Sequence, residues 1–170
     1  MDDKASIHIF SGSVTRKRFS ENDIEKVAYI ANNIAKPIDV YGDVVEDIFP
    51  GFIPYLSFKG KVDHSIMLEI MQDYKYGVLS YYTDDLNYDF CAPLKLYEYL
   101  ACGCRVISLN KNNGLIALSE RYPALISFVS SDVNDNKYFD QNLVEFINQR
   151  ESFLSNAISS NWQFARCIVS

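Results

Sequence analysis

The stretch Ala92-Pro-Leu-Lys-Leu-Tyr-Glu-Tyr-Leu-Ala-Cys-Gly103, followed at once by Arg105-Val-Ile-Ser-Leu109, decides the fold. Proline is favoured at the first helical position, where its missing N–H costs nothing, and glycine just past the last turn. Pro93 and Gly103 therefore bracket a short helix. The apolar, β-branched run after it reads as a strand. Before the helix, Gly77-Val-Leu-Ser-Tyr-Tyr82 reads as another strand, with the polar stretch 83–91 as the connecting loop. Strand, helix and strand in that succession form a βαβ unit, whose two strands run parallel.

The same alternation continues outward in both directions. Towards the amino terminus, Ser6-Ile-His-Ile-Phe10 is a buried strand that stops at the turn Ser11-Gly12-Ser13. Ser20-Glu-Asn-Asp23 opens a helix in the pattern of a capping box. Ile24, Val27, Ala28, Ala31 and Ile34 share one face of it, and Lys36-Pro37 ends it. Strands at 38–41 and 56–59 flank the irregular stretch 42–55. Asp63 then caps a helix with Ile66, Met67, Ile70 and Met71 as its buried stripe. Towards the carboxyl terminus come a helix at 114–121, a strand at 125–129, and helix within 138–169. The expectation is an α/β fold over 1–170, a single doubly wound, Rossmann-like parallel sheet of about six strands with helices on both faces. A terminal helix at about 152–169 is less regular in pattern and is expected to leave the sheet.

Composition narrows the class. Hydrophobic residues at 48% against 22% charged suit a chain with a packed core rather than a disordered one. A formal charge of −6 opposes nucleic-acid binding, which depends on neutralising phosphates. No apolar run is long enough to cross a bilayer, and Met1-Asp-Asp-Lys4 is no signal peptide, so the expected location is the cytoplasm. Four cysteines and two histidines lack the paired spacing of a zinc site. The cysteines are expected to be reduced, and no metal is expected.

In a doubly wound sheet, ligands gather at the carboxyl ends of the strands, where the strand order reverses. The loops 11–19, 59–63 and 83–93 fall there. The helix opening at Pro93 is the most informative of the neighbouring elements. Its free first-turn N–H groups and positive dipole end suit a phosphate, and Lys95 adds a cation. Glu98, three residues on, lies on the same face and can accept two hydrogen bonds from vicinal hydroxyls such as those of a ribose. On spacing alone, an ordinary Lys95–Glu98 surface pair accounts for the same two residues. Arg16-Lys-Arg18 either neutralises a diphosphate or is a solvated basic loop.

Pro93, Lys95, Glu98, Tyr99, Leu100, Ala101 and Gly103, followed by Arg105-Val-Ile107, resemble a helix and strand of one enzyme family. It is that of the glycosyltransferases built from two Rossmann-like domains (the GT-B architecture, group 1-like), and the likeness is to their carboxyl-terminal domain. Phe58-Lys-Gly-Lys-Val62, Tyr76-Gly-Val-Leu-Ser-Tyr81 and Ser160-Asn-Trp-Gln-Phe-Ala-Arg166 are similar to further pieces in the same order. The resemblance implies transfer of a sugar from a nucleotide-diphosphate sugar, which is the donor substrate, with no cofactor besides. It also implies a setting in bacterial surface polysaccharide or glycoconjugate synthesis.

By the same resemblance, Glu98 holds the ribose. The diphosphate lies against Pro93 and Leu94, with help from Lys95, the Gly12-Ser13 turn and Arg18. The loop ending at Val62 lines the base. Many retaining members carry a second glutamate where this chain has Phe90; Asp89 is the candidate substitute, with Asn87 as another. The acceptor site of such enzymes lies on an amino-terminal domain, which this chain lacks and which it would need as a partner. The full enzyme would be free to lie against the inner face of a membrane. Trp162 and Phe164 are candidates for the face on which the other domain docks. The runner-up readings are a nucleotide-sugar epimerase of the same architecture and a flavodoxin-like regulatory module. Ser11-Gly12-Ser13 lacks the acidic cluster of a phosphorelay receiver, and only Gly12 stands where a dinucleotide site wants three glycines.

Overall fold

Six strands pair in the order β3-β2-β1-β4-β5-β6, every neighbouring pair parallel, in a computed structural model of the chain. The structure describes residues 8–12, 14–15, 19–33, 35–43, 49–80, 93–129 and 142–159. The elements in chain order are β1 (His8–Ser11), α1 (Asp23–Asn33), β2 (Ile38–Tyr41), a 3-10 turn (Pro50–Tyr55) and β3 (Leu56–Gly60). They continue with α2 (His64–Met71), β4 (Tyr76–Leu79), α3 (Leu94–Ala101), β5 (Arg105–Ser108), α4 (Asn113–Arg121), β6 (Ile126–Phe128) and α5 (Leu143–Ser159). This is the α/β, Rossmann-like sheet expected from the sequence.

The sheet grows from β1 to β3 in one direction and from β4 to β6 in the other. Right-handed crossovers then place the intervening helices on opposite faces. The side chains follow that division. Phe10, Val40, Tyr76, Val78 and Ile107 join Val27 and Ile30 of α1 and Phe52 of the 3-10 turn in one core. Ile9, Leu79 and Val106, pointing the other way, join Met67 and Met71 of α2, Leu96 and Leu100 of α3, Leu115 of α4 and Phe146 and Phe153 of α5. Successive strand residues thus feed two cores, as a period of two requires.

Half of the expected capping box at α1 is formed: Asp23 Oδ2 accepts from the backbone N–H and the hydroxyl of Ser20, both at 3.0 Å, while the Asp23 N–H bonds the Ser20 carbonyl rather than its hydroxyl. Two expected stripes need correction. Ile30 joins Val27 and Ala31 on the buried face of α1, Ile24 and Ala28 are half-buried, and Ile34 lies outside the described residues. In α2, Ile66 is exposed; Met67 and Met71 are buried, and Leu68 and Ile70 pack half-buried against the same core. Pro93 also sits one position earlier than expected, as the residue before the helix rather than its first residue.

Helix α3 is fastened at its middle and at its end. Tyr99 is fully buried and lies across Gly77 of β4. Its hydroxyl accepts from the Ser11 N–H at 2.9 Å and donates to the Val78 carbonyl at 3.1 Å. Burial pushes the phenol well above its usual range, so the hydroxyl keeps the proton it donates. Beyond Ala101, the Gly103 N–H bonds the Leu100 carbonyl and the Cys104 N–H bonds the Tyr99 carbonyl, the two bonds of a Schellman ending. Arg150 of α5 donates to the carbonyls of Leu100 and Ala101, neutralising the negative end of the helix. The described part of the last helix therefore packs on this chain's own α3, while residues 160–169, Trp162 and Phe164 among them, lie outside the described residues.

A Cβ on Gly77 would stand 2.3 Å from the Tyr99 ring, so Gly77→Ala must displace either α3 or β4. The expected loss is about 1–3 kcal/mol, measured by urea unfolding. Tyr99→Phe removes the partner of the Ser11 N–H and should cost a similar amount, about 1–3 kcal/mol. Unchanged midpoints in both variants would refute the contact.

Candidate functional site

Where β1 and β4 part company, the carboxyl ends of β1, β2 and β3 and the first turns of α2 and α3 enclose an open cleft of about 430 Å3. Its floor is backbone. The Gly12 N–H donates to the Tyr41 carbonyl at 2.9 Å, and the Gly42 N–H to the Gly60 carbonyl at 3.1 Å. Gly42 and Gly12 approach so closely that a Cβ on Gly42 would meet the Gly12 oxygen at 2.1 Å. Asp43 and Lys61, paired at 3.1 Å, form an exposed rim at the outer end. Val62, Asp63, His64 and Met67 form one wall, and Lys95 stands at the other.

Two helices open on this cleft with no side-chain cap. Extended residues precede them, Asp63 before α2 and Pro93 before α3, and neither gives its helix a capping hydrogen bond. Pro93 has no side-chain acceptor to give, and the Asp63 carboxylate makes no such bond. The expectation that Asp63 caps α2 through its side chain is thus corrected. First-turn N–H groups left without a cap are the ordinary receptors of phosphate oxygens.

Glu98 lies directly behind Lys95 and is 2% exposed. One oxygen accepts from Lys95 Nζ at 2.5 Å, and the other meets His64 Nε2 at 3.1 Å. A carboxylate only accepts, so His64 is the donor. The Lys95–Glu98 pair foreseen as a surface alternative is present, but its acid is buried. A buried carboxylate without partners would be costly, and these two donors are what permit it.

The residues singled out from the sequence divide three ways. Gly12, Val62 and Lys95 line the cleft, and Glu98 is reached through Lys95 and His64. Pro93 is buried at the start of α3, whereas Leu94 is 46% exposed and does not line the cleft. Ser13, Arg16, Arg18, Asn87, Asp89 and Phe90 lie outside the described residues. His64 was missed because its partner is 34 positions away, though it follows Val62 of the loop assigned to the base by only two residues. The run from Asn110 to Gly114 does not line the cleft. Asn110 Nδ2 donates to the buried Asp23, and Asn112 caps α4 by accepting from the Leu115 N–H. Lys26 is held by Asp23 and the Leu109 carbonyl in that second polar cluster.

Among the described residues, no group of three His, Cys, Asp or Glu could hold a metal ion, and no helix is long and apolar enough to cross a membrane.

No protein-family model and no curated protein sequence matches the chain. Solved structures do. AviGT4, a glycosyltransferase involved in avilamycin A biosynthesis, superposes with a TM-score of 0.59 at 14% identity, over 97% of this chain and 52% of that one. A chain of the GtfA/B complex gives 0.54 at 16%, over 97% and 36%. An O-GlcNAc transferase of Thermobaculum terrenum gives 0.56 at 11%, over 96% and 32%. What the chain shares with these three proteins is the fold. The particular chain spans about half of AviGT4 and about a third of the other two.

Because the floor is backbone against backbone, Gly42→Ala has no flexible neighbour to push aside. We expect it to lower the melting temperature by roughly 2–10 °C, the equivalent of about 1–3 kcal/mol in a chain of this size. Calorimetry that finds the melting temperature unchanged would contradict the close approach.

Proposed function

We propose that this chain is the donor-binding part of a glycosyltransferase and that the cleft takes a nucleotide-diphosphate sugar. The observation that carries the reading is Glu98, a buried carboxylate on the helix that opens at the point where the strand order reverses. Sequence chemistry, site and fold agree there. Two uncapped helix starts and Lys95 suit the diphosphate, Glu98 suits the ribose diol, and the cleft running on past Gly42 towards Lys61 suits the base. Strands are about 4.8 Å apart, so the ends of β1 and β3 lie roughly 10 Å from one another, a span suited to a nucleoside diphosphate.

Transfer itself is proposed for a larger assembly. An acceptor hydroxyl must be held in line with the anomeric carbon, with a group to take its proton, and both demands call for an opposite wall. The amino-terminal domain of the resembled family would supply that wall. The 170-residue chain alone is expected to bind donor and to transfer no sugar.

Calorimetric titration with UDP, GDP, ADP and CMP tests binding and finds the base. Glu98→Ala should weaken the best ligand roughly ten- to a hundredfold, the usual worth of a charge-assisted hydrogen bond, with the fold checked by thermal melting. Equal affinity in variant and wild type would sink the assignment. Lys95→Ala should weaken the diphosphate far more than the bare nucleoside; parallel losses would remove Lys95 from the phosphates. Radiolabelled-donor assays with extracted membrane acceptors, with and without a co-expressed amino-terminal partner, test the rest. Turnover by the chain alone would overturn the half-enzyme reading.

A further inference from the structure

His64 stands outside every motif that pointed to the cleft, yet it closes one side of Glu98. It is the first residue of α2, its side chain is 61% exposed, and its Nε2 holds Glu98 Oε1 at 3.1 Å. Lys95 holds the other oxygen. Each oxygen of the proposed ribose acceptor thus already accepts one donor before any ligand arrives, and its remaining lone pairs are covered, since the carboxylate side chain is only 3% exposed. A ribose diol can reach Glu98 only by displacing one or both donors.

We propose that His64 belongs to the ligand site and that binding proceeds by exchange of partners. This rests on the nucleotide-sugar reading above. The 2′ and 3′ hydroxyls take over the carboxylate oxygens, and the released His64 and Lys95 turn to the diphosphate. Each lies at the first turn of an uncapped helix, so each is carried on an element whose free N–H groups favour an anion at the same place. A bare nucleoside brings no such compensation: it would strip two donors from a buried acid and leave them without an anion. The exchange thus makes the ribose and diphosphate halves of the ligand depend on one another, and it selects diphosphate-bearing ligands by more than direct charge contact.

The experiment is calorimetry on wild type, His64→Ala and His64→Gln with UDP-glucose, GDP-glucose, uridine and guanosine. The expected result is a roughly three- to tenfold loss for the better nucleotide sugar in both variants, with nucleoside affinity unchanged or raised. Losses of equal size for nucleoside and nucleotide sugar, or no loss for either, would overturn the role of His64 alone. Failure of wild type to bind any of the four probes would overturn the nucleotide reading and this inference with it.

Discussion

Between β1 and β4 the sheet changes direction of growth, and the hydroxyl of Tyr99 spans that seam from above. It takes the Ser11 N–H on one side and gives its proton to the Val78 carbonyl on the other. Three things follow from this buried group. Helix α3 is fixed in height over the sheet, because its ring rests on Gly77, where any side chain would intrude. The residue before Tyr99, Glu98, is thereby carried to the back of the cleft. The carboxyl end of β1 is held just where Gly12 begins the cleft floor. Arg150 and the Schellman ending secure the other end of the same helix, so its amino terminus is aimed by contacts made far from the cleft.

Much of the fold was legible from the sequence because it rests on local signals. Pro93, Gly103, Lys36-Pro37 and the Ser20–Asp23 box mark helix ends by their own chemistry, and short apolar runs mark all six strands, five of them to within about two residues; the fourth was expected to run on to Tyr82 and ends at Leu79. The departures come from tertiary context. Ile66 has the period of a core residue but is exposed, because α2 turns Met67 and Met71, with Leu68 and Ile70 beside them, towards the core. Ile30, three residues past Val27, lies on the same helical face and joins the same core.

The site was legible in part and for a different reason. Gly12, Lys61, Val62, Lys95 and Glu98 belong to recognisable pieces, whereas Asp43 and His64 enter the cleft through contacts between elements. Tyr99 stood in the matched segment, but its partners are 88 and 21 positions away, so nothing local distinguished it from an ordinary core aromatic. The two uncapped helix starts became meaningful only once they were seen to open on one space.

The floor of the cleft, made by the crossing of Gly12 and Gly42 and the bond to Gly60, offers a ligand main-chain atoms only. Substitution can break such a surface but cannot retune it. Whatever distinguishes one ligand from another must come from the rim, where exposed residues such as Asp43 and Lys61 contribute little to stability. Recognition and foldedness are thus assigned to separate sets of atoms. A lineage could drift from one donor to another by rim changes alone, and a designer wishing to redirect the cleft would have the same freedom.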